Sequence, residues 1–116
     1  MSNVVIMKGI LISILLILTT LSCTESEPSC IDERIMQFQE SQGKCLGATV
    51  QKFRFQGQIL YGFTDGQCIS DGGTSLVDED CNNFCFIGGI AALTECDGIP
   101  FAQNSELLET LWIYEE

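Results

Sequence analysis

Cysteine is the residue type whose number and placement indicate chemistry in this 116-residue chain. The seven cysteines are Cys23, Cys30, Cys45, Cys68, Cys81, Cys85 and Cys96. An odd number of cysteines in an exported protein leaves one thiol over, unless that thiol is used in another way. Cys23 stands apart because it directly follows an apolar segment, and acylation of its sulfur would leave six. Six cysteines predict three disulfides, but they allow fifteen pairings and the sequence does not select one.

The apolar segment before Cys23 has the length of a secretion signal. Between Lys8 and Cys23 lie fourteen residues, most of them apolar, and the last is the small residue Ser22. A membrane-spanning helix needs about 20 apolar residues, whereas a secretory apolar region needs about 7–15 before a small-residue cleavage site. We therefore predict that residues 1–22 are a lipoprotein signal peptide and that Cys23 becomes a lipidated N-terminus. The alternatives are a tilted membrane anchor that buries Lys8, and cleavage after Ser22 by an ordinary signal peptidase.

Catalytic and metal-binding residue sets are poorly represented. The chain has no histidine, which removes the most common general base and most zinc or copper sites. No other set of side chains matches a catalytic constellation, so we predict that the chain is not an enzyme and holds no cofactor. A metal cluster at Cys81, Cys85 and Cys96 is the alternative to disulfides, which an oxidising compartment favours.

The acidic run that contains Asp78 and Asp80 is a weak calcium candidate, because carboxylates are the ligands that calcium prefers. The EF-hand spacing of acidic residues and glycine is absent around it. A solvated acidic loop is the better interpretation, since charge runs are commonly solvated. The sequence thus predicts no bound metal.

The charge balance excludes some partners. All sixteen acidic residues follow residue 22, together with four of the five basic residues, so residues 23–116 carry 4 − 16 = −12. Nucleic-acid binding needs a basic patch, and so does attachment to anionic lipid headgroups. We expect neither, and we expect that the acidity keeps the protein soluble and monomeric.

The elements that must position the cysteines begin with a helix. Ser29 is a candidate N-cap, with Asp32 three residues later, and the pattern predicts a helix over Ser29–Gln42. Ile31, Ile35 and Phe38 fall on one helical face. Gly43 ends the segment.

A β-hairpin follows the helix. Alternation predicts a strand over Ala48–Phe55 and a return strand over Ile59–Phe63, joined by a turn at Gln56–Gln58. In the first strand, residues 51, 53 and 55 share one face and residues 50, 52 and 54 share the other. In the return strand, residues 59, 61 and 63 lie on one side.

The second half of the chain is less regular. Thr64–Thr74 reads as a loop and Asp78–Asp80 as a short helical turn. Phe86–Leu93 is apolar but interrupted by two glycines, which predicts a sharply bent, buried segment. We expect one helical turn over Ser105–Leu108 and a strand over Thr110–Tyr114.

Aromatic residues near the C-terminus, Trp112 and Tyr114, together with Tyr61 and Phe63, have two interpretations. They form an aromatic binding face, or one set lies in the core while the other is partly exposed, as in most half-buried sheets. The second interpretation is the one we favour.

These elements define one small domain. Residues 23–29 are polar and contain a proline, so they read as a tether, and residues 30–116 then form a single disulfide-rich domain. The predicted fold class is α+β, with an N-terminal helix, an antiparallel β-hairpin and further short strands, stapled by disulfides.

Several segments together have a recognisable pattern. They are Cys30–Ile35, Ala48–Phe63, Cys68, Leu76–Asn82, Cys85, Gly88–Ile90 and Leu111–Trp112. This pattern resembles a family of small exported, often lipid-anchored domains from Bacteroidota-type bacteria that is described only as a domain of unknown function. The resemblance implies an exported α+β domain and implies no reaction.

The function that these observations favour is that of a non-catalytic interaction module in the cell envelope. It is attached to the membrane through the lipid anchor, faces the periplasm or the cell exterior, and binds a protein or glycan partner. One alternative is a small inhibitor of an exported hydrolase that presents the loop Thr64–Thr74. Another is a structural component of the envelope.

Overall fold

The structure is a computed structural model that describes residues 28–115. Along the chain its elements are α1 (Cys30–Gln42), β1 (Thr49–Phe55), β2 (Gln58–Thr64), β3 (Gly73–Val77), β4 (Asn83–Gly88), β5 (Glu95–Cys96), β6 (Ile99–Pro100), α2 (Phe101–Asn104) and β7 (Ser105–Ile113). One helix on an antiparallel sheet makes the fold α+β. The predicted signal peptide, most of the predicted tether, and the prediction that α1 opens the folded part of the chain concern residues 1–27, which lie outside the described residues.

Helix α1 begins where the sequence places its cap. The Ser29 hydroxyl accepts a hydrogen bond from the backbone N–H of Asp32 at 3.2 Å, which satisfies one of the free donors of the first turn. Asp32 and Glu33 in that turn complement the positive end of the helix dipole. The helix ends at Gln42, and Gly43 follows as its C-cap.

The sheet has five antiparallel strands in the order β4-β3-β2-β1-β7. The predicted hairpin is confirmed: Phe55 pairs with Gln58 around a two-residue turn, and both turn residues, Gln56 and Gly57, have positive φ. Such a turn matches the right-handed twist of its strands. Val50 lies opposite Phe63, so the predicted faces of the two strands are also correct.

Two predictions for the second half of the chain are wrong. Asp78–Asp80 is not helical, because β3 and β4 form a second hairpin and these residues belong to its turn. Ser105–Leu108 is not helical either, because β7 starts at Ser105, which is paired with Phe55 of β1. At Ser105 the sheet supplies the backbone hydrogen-bond partners, and this tertiary pairing overrides the local pattern. In the turn, the Asp78 carboxylate accepts the backbone N–H groups of Asp80 and Asn82.

Both faces of the sheet are covered. Helix α1 covers one face, where a buried cluster is formed by Ile31, Val50, Phe63 and Val77. Residues 95–104 cover the other face, where the buried cluster is formed by Phe55, Leu60, Leu76, Cys96 and Phe101. A sheet covered on both sides has a core on each face, which is how a short chain buries its large side chains.

The aromatic residues considered as a binding face lie largely beneath α1. Phe38 of the helix makes edge-to-face contacts with Phe63 and with Trp112, at ring-centroid distances of 5.4 and 6.0 Å. Phe63 is buried, and Tyr61, Trp112 and Tyr114 are half-buried. This arrangement agrees with the core interpretation and not with an open aromatic face.

Within residues 28–115, neither helix combines the length and the apolar character that crossing a bilayer requires.

Candidate interaction site

The two ends of the sheet are built from different segments. The turns at 56–57 and 78–82 lie at the near end, and the chain comes in there through Pro28 and Ser29, beside the 78–82 turn. At the far end lie the loops 43–48, 65–72 and 89–94. Helix α1 runs from the near end, where Cys30 is paired with Cys81, to the far end.

Polar contacts and one disulfide pair hold the near end together. Cys30 and Cys81 join the start of α1 to the β3–β4 turn, with Cα atoms 6.2 Å apart. In that turn the Asp78 carboxylate accepts hydrogen bonds from the backbone N–H groups of Asp80 and Asn82, both at 2.9 Å. The hydrogen bond from the Asn82 backbone is the main reason why the pKa of Asp78 lies below its ordinary value of 3.8.

The calcium candidate lies in this same turn. The Asp78 carboxylate already accepts hydrogen bonds within the turn, and the backbone N–H of Asp80 is one of the donors. In the part of the chain that the structure describes, no three His, Cys, Asp or Glu side chains are grouped so that they could hold a metal ion. The bonds favour the interpretation of a solvated acidic turn.

The far end is organised by a second disulfide pair and a buried amide. Cys45 and Cys68 lie 5.3 Å apart at their Cα atoms and connect the loops 43–48 and 65–72. The backbone N–H of Gly66 donates to the side-chain Oε1 of the buried Gln42 at 3.2 Å. A Cβ atom at Gly66 would lie 2.5 Å from the Cys45 carbonyl oxygen, so only glycine allows this close approach.

An open depression of about 400 Å³ lies between these loops. Leu46 and Ile69 are its exposed apolar side chains, and Asp65 contributes a carboxylate. The predicted loop Thr64–Thr74 therefore forms part of the far end, although its last two residues belong to β3.

The end of β4 and the third far-end loop together carry the apolar tip, which we define as Phe86 of β4 with Ile90 and Leu93 of the loop. Gly88 and Leu93 exchange two backbone hydrogen bonds, of 2.8 and 3.2 Å, around the four residues between them. Cys85 and Cys96 are paired just outside this bridge, with a Cα separation of 5.7 Å. The loop is therefore closed twice at its base.

The burial predicted for this segment is wrong, although the bend is confirmed. Gly88 and Gly89 both have positive φ and turn the chain sharply. The exposed fractions are 86% for Ile90, 47% for Leu93 and 39% for Phe86. Ile90 lies beyond the end of β4, where none of the described elements covers it, whereas Phe86 lies within β4 and is partly covered. The sequence signal was the glycine pair itself, because turns place their residues at the surface.

Exposed apolar side chains are concentrated at the far end. Nine large apolar residues are exposed within residues 28–115. The six that lie at the far end are Leu46, Ile69, Phe86, Ile90, Leu93 and Ile113. A concentration of exposed apolar side chains on one part of a surface is typical of an interaction site.

The six predicted disulfide cysteines are thus all placed in pairs: Cys30 with Cys81, Cys45 with Cys68 and Cys85 with Cys96. This pairing argues against a metal cluster of Cys81, Cys85 and Cys96, because these residues belong to two different pairs. Cys23 lies outside the described residues. The pairing follows from the strand order, which sequence spacing alone did not contain.

Comparison with known proteins identifies the family and leaves its activity open. The family model described as "Domain of unknown function (DUF6970)" matches residues 36–114. No curated protein and no solved structure matches the chain significantly. The match covers more than half of the chain, from the middle of α1 to the residue after β7. The chain therefore belongs to the family of the domain of unknown function DUF6970.

Proposed function

We propose that this protein is an exported, lipid-anchored interaction module, without catalytic activity, that binds a protein partner through its far end. The observation that carries the proposal is that the exposed apolar side chains and the predicted anchor lie at opposite ends of the sheet. Exposed apolar side chains are concentrated on the far-end loops, whereas the chain comes in from its predicted anchor at the near end.

The tether length supports an outward orientation. Cys23 and Pro28 are five positions apart, and even a fully extended segment of that length spans at most about 18 Å. A lipid on Cys23 would therefore hold the near end close to the bilayer. The strands then direct the far end away from the membrane, toward other macromolecules.

The three disulfide pairs support both export and binding. Disulfides persist in oxidising compartments, such as the periplasm and the cell surface. Cys45–Cys68 and Cys85–Cys96 close far-end loops, so these loops lose little conformational freedom when a partner docks. Preorganised loops of this kind are suited to recognition.

The anchor is tested by metabolic labelling with a palmitate analogue. We expect label on the wild-type chain and none on Cys23→Ala, because the acylated sulfur is removed. Label on both chains, or on neither, would refute lipidation of Cys23.

The binding end is tested by mild crosslinking in intact cells, followed by purification of the full-length chain. We expect one partner to be recovered with the wild type and with Gln58→Glu, which adds a charge at the exposed start of β2. Ile69→Glu adds the same charge at the far end, and we expect it to abolish recovery. Equal recovery with both variants would show that the far end is not the binding site.

A second candidate is the inhibitor of an exported hydrolase. The observation in its favour is the loop 65–72, which is fixed by Cys45–Cys68 and by the hydrogen bond from Gly66 to Gln42, and which exposes Ile69. Assays of proteases and cell-wall hydrolases with excess protein test it. Full activity of every enzyme in the panel would argue for the interaction module alone.

A further inference from the structure

We infer that Ile90 is the side chain by which the far end recognises its partner, and that it inserts into an apolar pocket with a basic rim on another protein. This inference rests on the proposed function and narrows it to one loop. The loop 89–94 projects past the end of β4 and carries the most exposed large apolar side chain in the described residues.

The shape of the loop favours insertion of a single side chain. Ile90 is followed by Ala91 and Ala92, whose methyl groups leave it prominent. A partner pocket would therefore enclose one branched side chain, with the small residues forming a flat shoulder around it. Anchor residues of this kind dominate binding when they fill a pocket from which water is excluded.

The backbone is already held in the shape that insertion requires. Gly88 and Leu93 are hydrogen bonded in both directions, and the Ala92 N–H donates to the Gly89 carbonyl at 3.1 Å. Ala92 itself has a φ of 51°, in the left-handed region that is unfavourable for a residue with a Cβ. The Cys85–Cys96 pair closes the base of the loop. A loop held in this way pays a smaller ordering cost on binding.

The acidic residues around the tip indicate which charge the partner carries at the edge of its pocket. No charged residue lies between Asp80 and Glu95 in the sequence, so the loop itself is neutral. Glu95 follows it directly, and both Asp65 and Asp71 lie in the neighbouring far-end loop. The complementary surface is an apolar pocket with lysine or arginine side chains at its edge.

The same geometry disfavours two other occupants. Strand β4 spans about 20 Å for its six residues, so Ile90 lies far from the end at which the chain comes in from its tether. Insertion of Ile90 into the membrane that carries the anchor would require the whole domain to turn over, so that its far end faced the bilayer. A second copy would bring the same acidic neighbours face to face, and like charges repel.

Photo-crosslinking in cells tests the inference on the full-length chain. Benzoylphenylalanine is incorporated at the exposed Ala91, which leaves the Ile90 side chain in place, at Ile69 as a second far-end position, and at Gln58 as the near-end control. We expect the probe at Ala91 to trap one protein that the probe at Gln58 does not trap. The crosslinked peptide of that protein should line an apolar pocket with lysine or arginine at its edge.

The contribution of the Ile90 side chain is measured from the probe at Ile69. Ile90→Ala should lower the yield of that crosslink roughly tenfold, as expected for an anchor residue, whereas Ile90→Val should retain most of it. Met36→Ala removes an exposed side chain from α1 and should change nothing. Because Ile90 is so exposed, Ile90→Ala should keep the wild-type melting temperature. Higher salt should lower the yield, and an unchanged yield would contradict the basic rim.

The outcomes separate the inference from the proposed function. If the Ile69 probe traps a protein and the Ala91 probe does not, the role of the tip is refuted and the far end remains the binding site. If neither probe traps a protein, both proposals fail. A crosslink from Ala91 to lipid or to a second copy of the chain overturns the inference.

Discussion

Gln42 is a buried polar side chain whose Oε1 atom accepts the backbone N–H of Gly66 at 3.2 Å. Gln42→Ala removes this acceptor and leaves the N–H without its partner, which costs about 1–3 kcal/mol of unfolding free energy. Denaturant unfolding measures the loss. Gln37→Ala, in an exposed position of the same helix, is the matched control and should be close to neutral. Equal effects of the two substitutions would contradict a specific role for Gln42.

The stability that the Asp78 carboxylate contributes to the β3–β4 turn depends on pH. Its folded pKa is depressed, mainly by the hydrogen bond from the Asn82 backbone, so the carboxylate stabilises the fold at pH values above its unfolded pKa. This contribution is lost as the pH falls below 3.8 and through the folded pKa. Asp78→Ala should therefore lower Tm near neutral pH, and the difference from the wild type should shrink in acid.

Asp80→Ala is the control for Asp78, because the turn uses only the backbone N–H of Asp80. We expect no comparable loss of Tm for this variant. A difference between wild type and Asp78→Ala that stays constant from neutral pH to below about pH 3 would refute the role of the carboxylate.

At the scale of elements, the Cys30–Cys81 pair attaches α1 to the sheet across 51 residues of sequence. A crosslink that closes a loop of this length restricts the unfolded chain and stabilises the fold by about 4 kcal/mol. We expect the double variant Cys30→Ala, Cys81→Ala to lose about that much unfolding free energy under oxidising conditions. When both proteins are fully reduced, the difference should nearly vanish. A difference that persists after reduction would mean that packing, and not the crosslink, is responsible.

The sheet also separates core phenylalanines from surface ones. Phe55 is 1% exposed in the cluster beneath residues 95–104, so Phe55→Ala should cost about 3–5 kcal/mol. Phe86→Ala makes the same chemical change at the apolar tip, where the ring is only partly covered, and should cost about 1–2 kcal/mol. Denaturant unfolding of the two variants measures both values. Similar losses would contradict the exposure of the tip.

At the scale of the whole molecule, the six cysteines after Cys23 account for three crosslinks. Intact mass measured after alkylation without reductant should show no uptake by the lipidated wild-type chain, because Cys23 is acylated and the others are paired. Six alkyl groups should be added after reduction. Uptake of several groups by the native protein would refute the three pairs.

Local patterns in the sequence were sufficient to predict the elements nearest the start of the described chain. Ser29 and Asp32 located the start of α1, and alternation around Gln56–Gly57 located the first hairpin with its correct faces. These signals are local, because capping and strand alternation depend on residues only a few positions apart. The number of cysteines likewise led to three crosslinks, once Cys23 was set aside.

The tertiary structure decided which cysteines pair, where β7 begins and which apolar residues remain exposed. Ser105 is extended because Phe55 of β1 lies opposite it, fifty positions away in sequence. Isoleucine is a residue type typical of a protein core. Ile90 nevertheless lies at the surface, because β4 ends before it and both faces of the sheet are already covered. Contacts between distant parts of the chain depend on topology, and a local pattern of residue types does not contain that information.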